Sequence, residues 1–160
     1  MSNTLQVAIQ DLYPDETSHC FGCGNRNSHG HQLKSYWNGG AALASFTPGP
    51  YHTAIPGFVY GGLLASLVDC HATATAAAAA CHAKNCELTT DTLPRFVTAA
   101  LQVDFLLPTP IGTELNLRGQ AREIRERKVT VDVTLSVDDK PTVAGSVVCV
   151  LLPASMLSAD

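Results

Sequence analysis

From Leu63 to Lys84 the chain reads LLASLVDCHATATAAAAACHAK, with neither a glycine nor a proline to interrupt it. That stretch predicts one helix, roughly 33 Å long at a rise of 1.5 Å per residue, enough to cross the width of a sheet. Alanine combines the highest helix propensity with the smallest side chain that keeps it. A run such as Ala76–Ala80 therefore lets a sheet curl closely around the helix axis. Asp69, His71, Thr73, Thr75, Cys81 and His82 make the segment from Gly61 to Ala83 too polar, and its alanines too weakly apolar, for an unassisted membrane span. It is expected as a buried helix, with no membrane partner.

The flanks supply the sheet. His31–Trp37 and Ala41–Phe46 enclose Asn38-Gly39-Gly40, a turn that joins two antiparallel strands through positive φ angles. Thr47-Pro48-Gly49-Pro50 ends that hairpin, and a loop bearing Pro and Gly, Tyr51 to Tyr60, leads into Gly61-Gly62. Beyond Pro94, strands are expected at Phe96–Leu107, Glu114–Arg125, Lys128–Val137 and Pro141–Leu152. In Val129–Val137 apolar and polar residues alternate strictly, the period of a strand with one buried and one wet face. Strand, strand, helix and four strands define an α+β class with a long-stranded antiparallel sheet. Residues 1–30 read as an irregular arm, 31–155 as a single domain and 156–160 as a tail.

With 160 residues, 46% hydrophobic and 15% charged, the length suits one domain with a real core. A formal charge of −4 with scattered basic residues lacks the field that draws a protein onto DNA or RNA. MSNTLQVAIQDLYPDE has no basic region followed by an apolar stretch, so a cytoplasmic protein is expected. There, thiols stay reduced, and Cys70, Cys81, Cys86 and Cys149 are expected as free core or surface thiols.

Cys20 and Cys23 form a CxxC that, with His29 and His31, offers the ligand types of tetrahedral zinc. His29 and His31 stand too close together for the usual second ligand pair. The arm is read instead as a turn shaped by its glycines and asparagines, without metal. His71 and His82, on the helix, are expected as satisfied packing or surface histidines. Arg122–Lys128 reads as a solvated hairpin end, in which Arg125, Arg127 or Lys128 can hold a phosphate group.

The segment His52-Thr53-Ala54-Ile55-Pro56-Gly57-Phe58-Val59-Tyr60-Gly61-Gly62, continuing to Asp69, resembles the active-site signature of the hot-dog fold acyl-CoA thioesterases, the branch that includes phenylacetate-pathway and THEM-type enzymes. That signature is a Pro-Gly loop, a His-Gly-Gly and an Asp nine positions after the His. Cys20-Phe21-Gly22-Cys23-Gly24-Asn25-Arg26-Asn27 with Gly30 resembles the N-terminal arm of the branch, Thr98 to Pro108 its strand after the helix, and Arg127 to Leu152 its final hairpin. The resemblance implies a long helix wrapped by a curved sheet and an acyl-CoA substrate hydrolysed without metal or organic cofactor. It further implies dimers or tetramers with active sites at subunit interfaces.

For the site it implies that the Gly61 N–H, at the positive end of the helix, holds the thioester oxygen. Asp69 acts as general base or nucleophile, and Thr98 stands beside the acid, reaching it from the neighbouring subunit. Tyr60, Gly62 and His52 fall on substrate-binding positions. Two positions depart from the pattern: Tyr60 stands where the family has His, and Ala54 where some relatives have Asn. A phenol can share the positioning role of that His only by hydrogen bonding. The rival reading is an acyl-CoA-binding module that does not hydrolyse its ligand, though such a module would need neither Asp69 nor Thr98.

Overall fold

The uninterrupted stretch folds as helix α1, Gly61–Ala83, in a computed structural model that describes residues 6–157. Residues 1–5 of the expected arm and 158–160 of the expected tail lie outside the described residues. Six strands accompany the helix: β1 (Ser35–Asn38), β2 (Ala41–Phe46), β3 (Phe96–Phe105), β4 (Leu115–Ile124), β5 (Lys128–Val137) and β6 (Lys140–Leu151). All neighbours are antiparallel, in the order β1-β2-β4-β5-β6-β3, which gives the α+β hot-dog architecture. β1 and β3 are the edges.

The first strand is shorter than its sequence pattern. It starts at Ser35 rather than His31, because Gln32 takes a left-handed φ of 52° and the His31 ring packs edge-on against Phe21 and Phe46. The turn Gly39-Gly40 has the expected positive φ angles, 58° and 128°.

Helix and sheet meet at very short range. Ala72, Ala74, Ala76, Ala77 and Ala78 are wholly buried. On the sheet side, a Cβ added to Gly145 would lie 2.3 Å from Val68 Cγ1, and one added to Gly119 would lie 2.2 Å from Thr75 Oγ1. Small residues on both surfaces thus set the distance between the layers. By length and composition α1 could cross a membrane, but 83% of its most apolar window is buried inside the molecule.

The arm also feeds the core. Ile9 and Tyr13 are buried in the main apolar cluster, and the Gln10 side chain donates to Ser35 Oγ at 3.0 Å while accepting the Ser35 N–H at 2.7 Å. Ser35 Oγ lies 2.8 Å from His71 Nδ1, and His71 Nε2 lies 3.1 Å from the Ala42 carbonyl. His71 is therefore a satisfied core histidine. Burial holds it neutral, its pKa pushed down to about 4.

Cys81 and Cys86 correct the expectation of free thiols: they form a disulfide. At the helix end the Cys86 N–H bonds the Cys81 carbonyl and the Asn85 N–H bonds that of His82, with Asn85 at a φ of 53°. This is a Schellman termination, and it folds Cys86 back over Cys81 with their Cα atoms 5.3 Å apart.

Candidate active site

Asp69 lies two turns into α1, half-buried, the one acidic residue of an alanine-rich helix. Its carboxylate accepts a hydrogen bond from the Thr98 hydroxyl on β3. Desolvation raises the Asp69 pKa, aided by the nearby Cys20 sulfur, whereas the Thr98 hydrogen bond and the Arg95 charge lower it. The carboxylate is thus moved toward the range useful for proton transfer while one oxygen is held in place. Thr98 belongs to the same chain as Asp69. This corrects the expectation that it would arrive from a neighbouring subunit.

A bulge in β3 positions both ends of the site. Thr98 pairs with Cys149, the register slips at Ala99, and Leu101, Val103 and Phe105 then pair with Val147, Gly145 and Val143. Directly opposed residues share a face, so Phe96 and Thr98 before the slip, and Leu101, Val103 and Phe105 after it, all lie on the side of the sheet that carries the helix. Without the extra residue, Thr98 and Phe105 would point to opposite faces. Cys149, behind Thr98, is buried, and desolvation with the Asp69 charge pushes its thiol up to about 12.

The other end of the site is the start of α1. The loop before it folds on itself through a Thr53–Val59 bridge and the Ala54 N–H to Phe58 carbonyl bond, with Gly57 at its tip at a φ of 94°. Tyr60 donates its N–H to His52 and accepts that of Leu63, while the Gly61 and Gly62 N–H groups have no protein acceptor among the described residues. Beside them opens an apolar cavity of about 550 Å³, walled by Ile55, Phe58, Val59, Leu64, Phe105 and Leu106 and reaching Gly61. The Phe105 ring closes on Gly61, where an added Cβ would lie 3.1 Å from it.

The remaining expected site residues are dispersed. The Tyr60 ring lies over Gly62 with no side-chain cap on the helix. His52 accepts the Gly49 N–H at Nδ1 (2.9 Å) and sits in a ring cluster with His31, Phe46 and Tyr51, outside the cavity wall. Arg125, Arg127 and Lys128 are exposed near the far end of α1, and Arg125 pairs with Glu123 at 2.6 Å. Of the weighed metal set, His29 is exposed and His31 is in the ring cluster. Cys20 and Cys23 are joined instead by Cys70 of α1, a residue that sequence reasoning left as an isolated thiol.

The sequence profile of the thioesterase superfamily matches residues 56–144, more than half of the chain, from the Pro-Gly loop into the start of β6. A thioesterase superfamily protein from Shewanella loihica is 50% identical, with a TM-score of 0.64 over 79% of this chain and 96% of its own. The E. coli PaaI protein from the phenylacetic acid degradation operon is 17% identical, with a TM-score of 0.63 over 77% and 81%. A Streptococcus mutans protein solved with acetyl CoA bound is 14% identical, with a TM-score of 0.62 over 75% and 88%. No curated protein matches. The chain belongs to the thioesterase superfamily.

Proposed function

We propose that the protein is an acyl-CoA thioesterase in which Asp69 supplies the base or nucleophile and the Gly61 N–H the oxyanion contact. The observation that carries this reading is the pairing of a half-buried, Thr98-oriented carboxylate with an open, acceptor-free helix start beside an apolar cavity. The acyl group occupies the cavity and its carbonyl oxygen accepts from Gly61. Asp69 then takes a proton from water as the water oxygen attacks the carbonyl carbon and passes it to the departing sulfur, or attacks the carbon directly, the CoA sulfur taking its proton from solvent and water then cleaving the acyl–Asp69 anhydride to the free acid and the Asp69 carboxylate. The C–S bond breaks and CoA leaves as the thiol. The solved relative that holds acetyl CoA supports the ligand class.

One chain cannot complete this site. Gly61 and Asp69 are eight residues apart on a straight helix, a separation of about 12 Å along the axis, whereas both must touch one carbonyl. The proposal therefore uses two copies, Gly61 of one facing Asp69 of the other. β3 is suited to the contact: it is an edge strand, and Leu101, Phe105, Leu106 and Leu107 on and after it are exposed.

The test is thiol release from short, medium, long and aromatic acyl-CoA thioesters by the wild type and Asp69→Asn. Release by the wild type and a fall of about a hundredfold or more in the variant, at unchanged circular dichroism and oligomer size, are expected. Tight acyl-CoA binding without release by the wild type would establish the binding module instead.

A further inference from the structure

Next to Asp69 on the helix, the arm and α1 bring three sulfurs together. Cys20 and Cys23 come from the CxxC, Cys70 from α1, and their Sγ atoms all lie within 4.8 Å of one another. We propose that Cys20, Cys23 and Cys70 form a three-thiolate site for zinc(II), with the fourth coordination position open to solvent.

The spacing is that of ligands and not of a bond. Cys20 and Cys70 sulfurs are 3.7 Å apart. Two thiolates on one tetrahedral zinc, each about 2.3 Å from the metal, stand about 3.8 Å apart, and a disulfide needs about 2.05 Å. The loop is built around these atoms. A Cβ on Gly22 would lie 2.2 Å from Cys70 Sγ, so only glycine lets the CxxC backbone close over the helix there.

The surroundings favour a divalent soft cation with one free position. Three thiolates and zinc(II) leave a single negative charge, and the Arg95 guanidinium, 4.2 Å over the Tyr13 ring, lines the cavity that Cys20 borders. The Tyr13 hydroxyl is buried without a hydrogen-bond partner among the described residues. Cys23 and Cys70 are buried, but Cys20 is half-exposed and borders a cavity of about 440 Å³ shared with His19, Glu16 and Arg95. That opening gives the metal a way in and gives the fourth position to water. Thiolates select thiophilic ions, which excludes magnesium and calcium.

The experiment uses the full chain, reduced, stripped of metal and titrated with cobalt(II), then with zinc. One cobalt per chain is expected, with thiolate-to-metal charge-transfer absorption of three-sulfur intensity and tetrahedral d–d bands that zinc abolishes. Cys70→Ser and Cys20→Ser should each weaken binding by about a hundredfold or more, and His29→Ala should leave it unchanged. Cys20→Ser lies on the arm and, with circular dichroism as the check, covers the case in which Cys70→Ser does not fold. The proposal is overturned by the absence of the charge-transfer band, by its persistence in both serine variants, by binding of copper(I) but not zinc, or by a Cys20–Cys23 or Cys20–Cys70 disulfide in freshly isolated protein.

Discussion

Thr98 and His71 both make polar contacts between the helix and the sheet, and they have different consequences. The Thr98 hydroxyl hydrogen-bonds the Asp69 carboxylate, so its loss should act on the chemistry. Thr98→Ala is expected to lower kcat about tenfold with KM little changed, and Thr98→Ser to keep most of it, read from thiol-release kinetics. His71 joins β1 and β2 to the helix through Ser35 and Ala42, wholly out of solvent. His71→Leu strands a hydroxyl and a carbonyl in the core and should cost about 3 kcal/mol, read from the urea midpoint. Asp69 stood out in the sequence because an acid in an alanine-rich helix is costly without a reason. Cys70 did not. Its partners lie 50 and 47 residues away, and the closure of the Gly22 turn over α1 brings the sulfurs together.

The elements were legible where one physical pattern acted alone. Strict alternation marked β5 from end to end, and the absence of helix breakers marked α1. Three features needed tertiary context. The β3 bulge inserts Ala99 in a run of similar apolar residues, where no periodicity shows the change of face. The left-handed Gln32 shortens β1, and the Schellman turn at Asn85 joins two cysteines that an argument from compartment left apart. Close packing of α1 on β6 and β4 is itself testable. Val68 is β-branched and stiff, so Gly145→Ala must displace it. A loss of about 1–3 kcal/mol and a Tm lowered by roughly 3–10 °C are expected. Adding Val68→Ala should cost less than the two single changes summed, since it removes the atom that Gly145→Ala strikes.

At the scale of the whole molecule, the proposed site makes activity a property of pairs. An Asp69→Asn chain keeps a sound Gly61 and cavity, and a Gly61→Val chain keeps Asp69 with Thr98 but drives a side chain into the Phe105 ring. Each variant alone should be inactive. If the oxyanion contact and the carboxylate come from different copies, a hybrid dimer has one site with both defects and one with neither. Equal co-refolding makes half the dimers hybrid, each with one working site of two, so about a quarter of wild-type thiol release should return. A site confined to one chain would regain nothing, because every chain in the mixture carries a defect. Charge placed on the β3 edge, as Leu101→Asp, should abolish both the pairing and the recovered activity, with size-exclusion chromatography showing monomers that keep the α1 fold.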